Sequence, residues 1–160
     1  MRRLKKRFLS AAETLDALNK MKLNAIDTEE LKIIATVLQD GLIEVNDVKY
    51  LPSIRTFVVM ITRFMWEEKI VNKTNNRTKA VLVFEDVLAA HARNIDQMDK
   101  AKVLELLTFN FYYNKSKNIE IELLFNNDAT IKLETEVVQA KLEDQGEPWT
   151  VEEINKKNDT

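Results

Sequence analysis

From Ile119 to Glu134 the chain reads IEIELLFNNDATIKLE, with an apolar residue at nearly every second position and charge between. A period of two marks a strand buried on one face, and no helix can gather those residues on one side. Ile119, Ile121, Leu123 and Phe125 share one face, and Glu120 and Glu122 the other. Ile131 and Leu133 resume the apolar face after the turn, against Lys132 and Glu134. Directly opposed residues of an antiparallel pair lie on the same face, so the register must join odd positions to odd ones. The three-residue loop Asn126-Asn127-Asp128 does this, setting Leu123 opposite Ile131 and Glu122 opposite Lys132. A two-residue loop would set Glu122 against Leu133. A lone hairpin is not stable in water, so the rest of the chain has to cover this one.

Further strands are legible on both sides. Ile54 to Phe64 reads as a long strand with both faces apolar, and Ala80–Ala92, Val103–Tyr113 and Thr130–Leu142 complete an antiparallel run. Within the last of these the apolar phase slips between Val137 and Val138, where a β-bulge is expected. Leu42–Val45 and Val48–Leu51 flank Asn46-Asp47 and predict a small hairpin. Lys22–Ile26 is a short strand and the stretch from Lys73 to Lys79, KTNNRTK, a polar loop. Between these lies one helix with a start signal: Asp27 as N-cap, Glu30 returning the bond as in a capping box. Leu31, Ile34, Ala35 and Leu38 form its core face, and Gly41 is expected to supply the left-handed residue that ends it.

The expected fold is therefore α+β, mainly β: N-terminal helices packed on a strongly curved antiparallel meander sheet of about seven to nine strands. Closure into a barrel would remove the free edges. Residues 21–150 are read as a single α+β domain and 151–160 as a polar, frayed tail. Gly146 and Pro148 should break the last strand, so that Trp149 folds back as a plug over the core.

Residues 1–20 stand apart. Leu4, Phe8, Ala11, Leu15 and Leu18 are spaced four, three, four and three, an apolar stripe on one helix face from about Arg2 to Asn19. The same stretch holds six basic residues against two acidic ones, leaving 18 basic and 24 acidic in the other 140. Arg2, Arg3, Lys5, Lys6 and Arg7 lie in the first turns of this basic amphipathic extension, where they oppose the helix macrodipole. A body this acidic is a poor surface for phosphate backbones, so nucleic-acid contact would rest on Arg2–Arg7 alone.

The chemistry that can be excluded is extensive. Zero cysteines remove disulfides, thiol nucleophiles and thiolate metal sites, and two glycines cannot furnish a phosphate loop or dinucleotide fingerprint. One histidine, His91, excludes paired-histidine zinc motifs and reads as a strand-end residue. The serines lack a nucleophile elbow. Glu67-Glu68, Glu134/Glu136 and Glu143-Asp144 could be drawn as acid–base couples, but alternation already explains the second of these as the wet face of a strand. No apolar run is long enough to span a bilayer and no leader pattern precedes the domain, which points to the cytoplasm. No cofactor or metal is expected. The more particular stretch is RFMWEE, Arg63–Glu68. Two readings stand: Trp66, Arg63 and Glu67 form an exposed anchor for a partner, or Trp66 caps the end of the sheet with Arg63 paired to Glu67.

Four stretches carry a family resemblance: KLNAIDTEELKIIATVLQDGLIEVNDVKYLP, RTFVVMITRFMWEE, VLVFEDVLAAHARNID and ATIKLETEVVQAKLEDQGEPW. The chain resembles, from about Met21 to Trp149, a proteobacterial domain family of unknown function. LQD, RF-x-W-E and L-x-D-x-G-x-P-W are its particular pieces. Members tend to have glycines where this chain has Asn126-Asn127-Asp128, which bears on turn type only. The resemblance implies no activity, cofactor or catalytic residue.

The expected function is a non-catalytic binding or adaptor domain for a protein partner or a second copy, through the basic helix or the Trp66 end. The alternatives are a small-ligand binder or enzyme using the sheet interior with Arg63, Glu67 or His91, and nucleic-acid or anionic-membrane contact through Arg2–Arg7.

Overall fold

The computed structural model describes residues 21–151. In chain order these form β1 (Lys22–Ala25), α1 (Thr28–Val37), β2 (Leu42–Glu44), a 3-10 turn (Val45–Asp47), β3 (Val48–Leu51) and a second 3-10 turn (Pro52–Ile54). There follow β4 (Thr56–Phe64), α2 (Trp66–Asn72), β5 (Asn76–Phe84), β6 (Val87–Arg93), β7 (Val103–Tyr113), β8 (Ile119–Phe125), β9 (Thr130–Thr135) and β10 (Ala140–Thr150). The expected helix over residues 2–19 and the tail beyond Val151 lie outside the described residues.

The ten strands make one antiparallel sheet in the order β1-β10-β5-β4-β2-β7-β8-β9-β6, with β3 beside β4. β1 and β6 are free edges, so the sheet is not a closed barrel. It does bend. Phe84 on β5 and Phe109 on β7 have ring centroids 6.1 Å apart, although three strand steps in a flat sheet would separate those strands by about 14 Å. At the far edge, the Val87 amide donates to the Arg55 carbonyl just before β4. The core fills the bend: Phe57, Val59 and Ile61 of β4, Leu82 and Phe84 of β5, and Ile121 and Leu123 of β8 are all essentially buried.

α1 closes the side of the core between β1 and β7. Its start is built as the residues predict: Asp27 accepts from the Glu30 amide at 2.8 Å. Glu30 returns a bond to the amide of Ile26, one residue before the cap. Leu31, Ile34 and Leu38 are fully buried, and each such side chain contributes about 1.5–3 kcal/mol through removal from water.

The 119–134 hairpin has the expected register, Leu123 opposite Ile131 and Glu122 opposite Lys132. Elsewhere the structure corrects the local readings. Leu42–Glu44 and Val48–Leu51 do not pair with each other; both lie along the same edge of β4, through Leu42↔Thr62 and Val48↔Val59. A nine-residue strand is a long enough template for two short ones in line. The stretch from Lys73 to Lys79 is not all loop, because Asn76–Lys79 begin β5, held between β4 and β10. Pairing on both sides overrides the poor strand propensity of those residues. Ala80–Ala92 is two strands, parted at Asp86, whose φ is 58°. Thr130–Leu142 is likewise two, and the Val137/Val138 slip is a full break at which the chain leaves β9 for β10. The left-handed residue after α1 is Asp40 (φ 65°), not Gly41. Gly41 serves close approach: a Cβ there would stand 2.9 Å from the Leu38 carbonyl oxygen and 3.0 Å from the Ile61 side chain. Trp149 is no plug. Gly146 takes φ 70° in an irregularity of β10, the strand resumes with Trp149 opposite Arg77, and the indole is 42% exposed.

Candidate functional site

On β4 the inward phase runs Phe57, Val59, Ile61, Arg63, so an arginine occupies a core position. On β10 the inward phase runs Ala140, Leu142, Asp144, which places an acid there as well. Both strands flank β5, and the two charges meet inside. Arg63 has no solvent exposure. Its Nε and Nη2 donate to the two oxygens of Asp144, each at 2.8 Å. Nη1 and Nη2 donate to Glu67 in the first turn of α2 at 3.1 and 2.7 Å, and Nη1 also reaches the Phe64 carbonyl at 3.4 Å. Asp144 in turn accepts from the Met21 amide at 3.2 Å. The cluster ties β1, β4, β10 and α2 together.

Burial alone would lower the Arg63 pKa, but the bonds and charges of Asp144 and Glu67 outweigh it and raise it. Burial likewise pushes Glu67 upward. The Arg63 hydrogen bonds, a backbone bond and the guanidinium charge prevail and hold its carboxyl below the usual range. A guanidinium with every donor engaged and no access to solvent is a structural ion, with nothing left to offer a substrate or partner.

The remaining residues of RFMWEE are also tied down. Trp66 is half-buried, with its ring 4.4 Å from Phe64 between centroids and its indole N–H donating to the Gln39 carbonyl at 3.3 Å. Glu68 accepts from Asn76 at 2.8 Å. The pairing of Arg63 with Glu67 is present, while the exposed surface at this end comes from Glu67 (38% exposed), the half-buried Trp66 and, further along α2, the strongly exposed Ile70 and Val71. Other carboxylates are similarly dispersed. Glu134 is held below its usual range by the amides of Asn118 and Asn114, Glu136 pairs with Arg55 and Glu143 with Lys22. No cluster of metal-ligating side chains occurs among the described residues. Arg2, Arg3, Lys5, Lys6 and Arg7 lie outside them.

A second place has a different character. Where the sheet bends back without closing, the free edge of β6 faces β3 across a cleft of about 190 Å³. Val48, Phe57, Leu104 and Ile131 give it an apolar floor, Ile95 a wall, and His91, Gln97 and Lys100 a polar rim. Tyr50 bridges the two edges by donating to the Val87 carbonyl at 2.8 Å. The β6 side is Ala90-His91-Ala92, two small residues about His91, with His91 and Ala92 exposed. His91 is thus near the end of a strand, as expected, and opposite Lys132. Sequence reading passed over this cleft because its walls come from β3, β6 and the 94–102 loop, which only the bend brings together.

The family described as "Protein of unknown function (DUF2948)" matches residues 21–157. The chain belongs to the DUF2948 family. Searches of curated proteins and of solved structures gave no match. In this DUF2948 domain the two most particular stretches of the sequence, RF-x-W-E and L-x-D-x-G-x-P-W, supply Arg63, Glu67 and Asp144, so they converge on a single buried ion network. No helix among the described residues is long and apolar enough to cross a membrane.

Proposed function

We propose that this DUF2948 member is a non-catalytic, cytoplasmic binding domain that takes an extended segment of a protein partner along β6. The observation that carries the reading is a free strand edge of small residues beside an apolar cleft. Sheet edges of this kind accept an added strand, main-chain hydrogen bonds supplying affinity and a pocket for alternate side chains supplying selectivity. A cleft of about 190 Å³ suits one apolar side chain and is smaller than the roughly 300–1,000 Å³ of typical small-molecule sites. The filled interior and the internal commitment of Arg63 also favour this reading over a ligand or catalytic centre inside the sheet.

Selection of displayed random peptides against the full chain tests it. Enriched peptides should carry apolar residues at every second position and shift the amide resonances of Ala89–Ala92. Ile95→Glu, on the cleft wall, should weaken them by about tenfold or more, a change of about 1.4 kcal/mol. Peptides that bind Ile95→Glu as well as the natural chain, or no enrichment at all, would defeat the reading.

A further inference from the structure

β4 is apolar on both faces. While Phe57, Val59 and Ile61 enter the core, Val58 and Met60 sit half-buried on the outside of the sheet. Their partners across β5 are Val83 and Val81, so four apolar side chains form a contiguous block. Leu42, opposite Thr62, and Val103, opposite Glu44, extend it toward β7. On the β5–β10 side the block is bordered by both signs, Lys79, Lys141 and Glu143, with Lys141 paired to Glu85, while β3 adds Lys49 opposite Val58. On the β2–β7 side the border is acidic, with Glu44, Asp47 and Glu105. Scattered surface apolar residues need no partner, whereas a contiguous apolar block on a sheet face offers a contact surface.

We propose that residues 2–19 of the same chain cover this face as an amphipathic helix, laying Leu4, Phe8, Ala11, Leu15 and Leu18 on Val58, Met60, Val81 and Val83. This surface is separate from the β6 cleft, and the inference stands whether or not a peptide binds there. Three features match. The segment enters at the right edge, because the Met21 carbonyl accepts from the Asp144 amide at 2.9 Å and β1 borders β10. The segment is long enough: Leu4 to Leu18 spans about 21 Å as a helix, against about 10 Å for the two strand steps from β10 to β4, across which the block lies. The charges agree at the far end, where a helix leading back from Met21 across the sheet brings Arg2, Arg3, Lys5, Lys6 and Arg7 to Glu44, Asp47 and Glu105. Those acids give the basic first turns a partner that the helix's own dipole denies them.

The chain has no cysteine, so Ser10→Cys in the full chain can carry a single nitroxide label. Docking predicts strong broadening of the Val58, Met60, Val81 and Val83 amide resonances and little at His91 and Ala92 on β6. Uniformly weak effects would overturn it. Mixing labelled chain with unlabelled, nitrogen-15 chain separates the two sources of cover: broadening that persists in the mixture means a second copy lies on the face, and defeats the proposal. Leu15→Glu, which changes no residue of the sheet, should abolish the broadening. If it does not, the stripe is not what docks.

Discussion

Arg63 presents five N–H donors and the fold answers them with two carboxylates and a carbonyl. Such an arrangement is strong only while complete, because a buried charge that loses its partner keeps its desolvation penalty. Asp144→Ala should therefore cost about 3–5 kcal/mol in urea unfolding at neutral pH. The paired change Arg63→Met with Asp144→Leu should recover most of that loss, since it removes both buried charges. If the double variant is no better than the single, the network does more than satisfy itself. Glu67 adds a pH dependence. Its carboxyl is held below the ordinary value, so the unfolded chain binds its proton more readily than the folded one. The stability it lends is complete above about pH 4.3 and disappears as pH falls through the lower folded value. Glu67→Gln should flatten that acid limb in melts followed from about pH 6 to about pH 3, whereas an unchanged limb would mean that other carboxylates set it.

Among the elements, the joint between α1 and β2 is closely packed, with no room for a Cβ at Gly41. Gly41→Ala should destabilise by about 1–3 kcal/mol through overpacking against Leu38 and Ile61. Asp40→Gly, one residue earlier, should be neutral or stabilising, because the left-handed strain sits there. Equal effects in thermal melts would refute this division of roles. The same joint shows what could be foreseen. A glycine after an apolar helix face announces an ending, but whether it is needed for φ or for space depends on Ile61, twenty residues away. The 119–134 hairpin was legible down to its residue pairs, since alternation and loop length are both local. The split of Ala80–Ala92 was not, because Asp86 has to turn the chain from the β4–β10 half of the sheet to the β9 half, and only strand order requires that turn. The Arg63–Glu67 arm of the ion network was legible in RFMWEE as one of two readings, whereas the Asp144 arm left a fainter trace that went unread: Arg63 and Asp144 are opposite charges standing in the apolar phase of their strands. The β6 cleft left none.

At the scale of the whole molecule, the outer face of the sheet makes a prediction of its own. A chain beginning at Met21 should bind an environment-sensitive apolar dye more strongly than the full chain, and Met60→Lys in the shorter chain should reverse the gain. Equal dye binding by the two lengths would argue that residues 1–20 cover nothing. The path of the chain also bears on how it is made. β1, the first strand, pairs with β10, the last, and Arg63 waits for an acid 81 residues further on. At about 5–20 residues per second, translation delivers that acid some 4–16 s after the arginine. Until then β4 has emerged carrying a core charge without Asp144, and β5 has an open side where β10 will lie. A nascent chain of this topology cannot complete its sheet from the front, so its exposure to aggregation and to chaperones should be greatest just before residues 140–150 leave the ribosome.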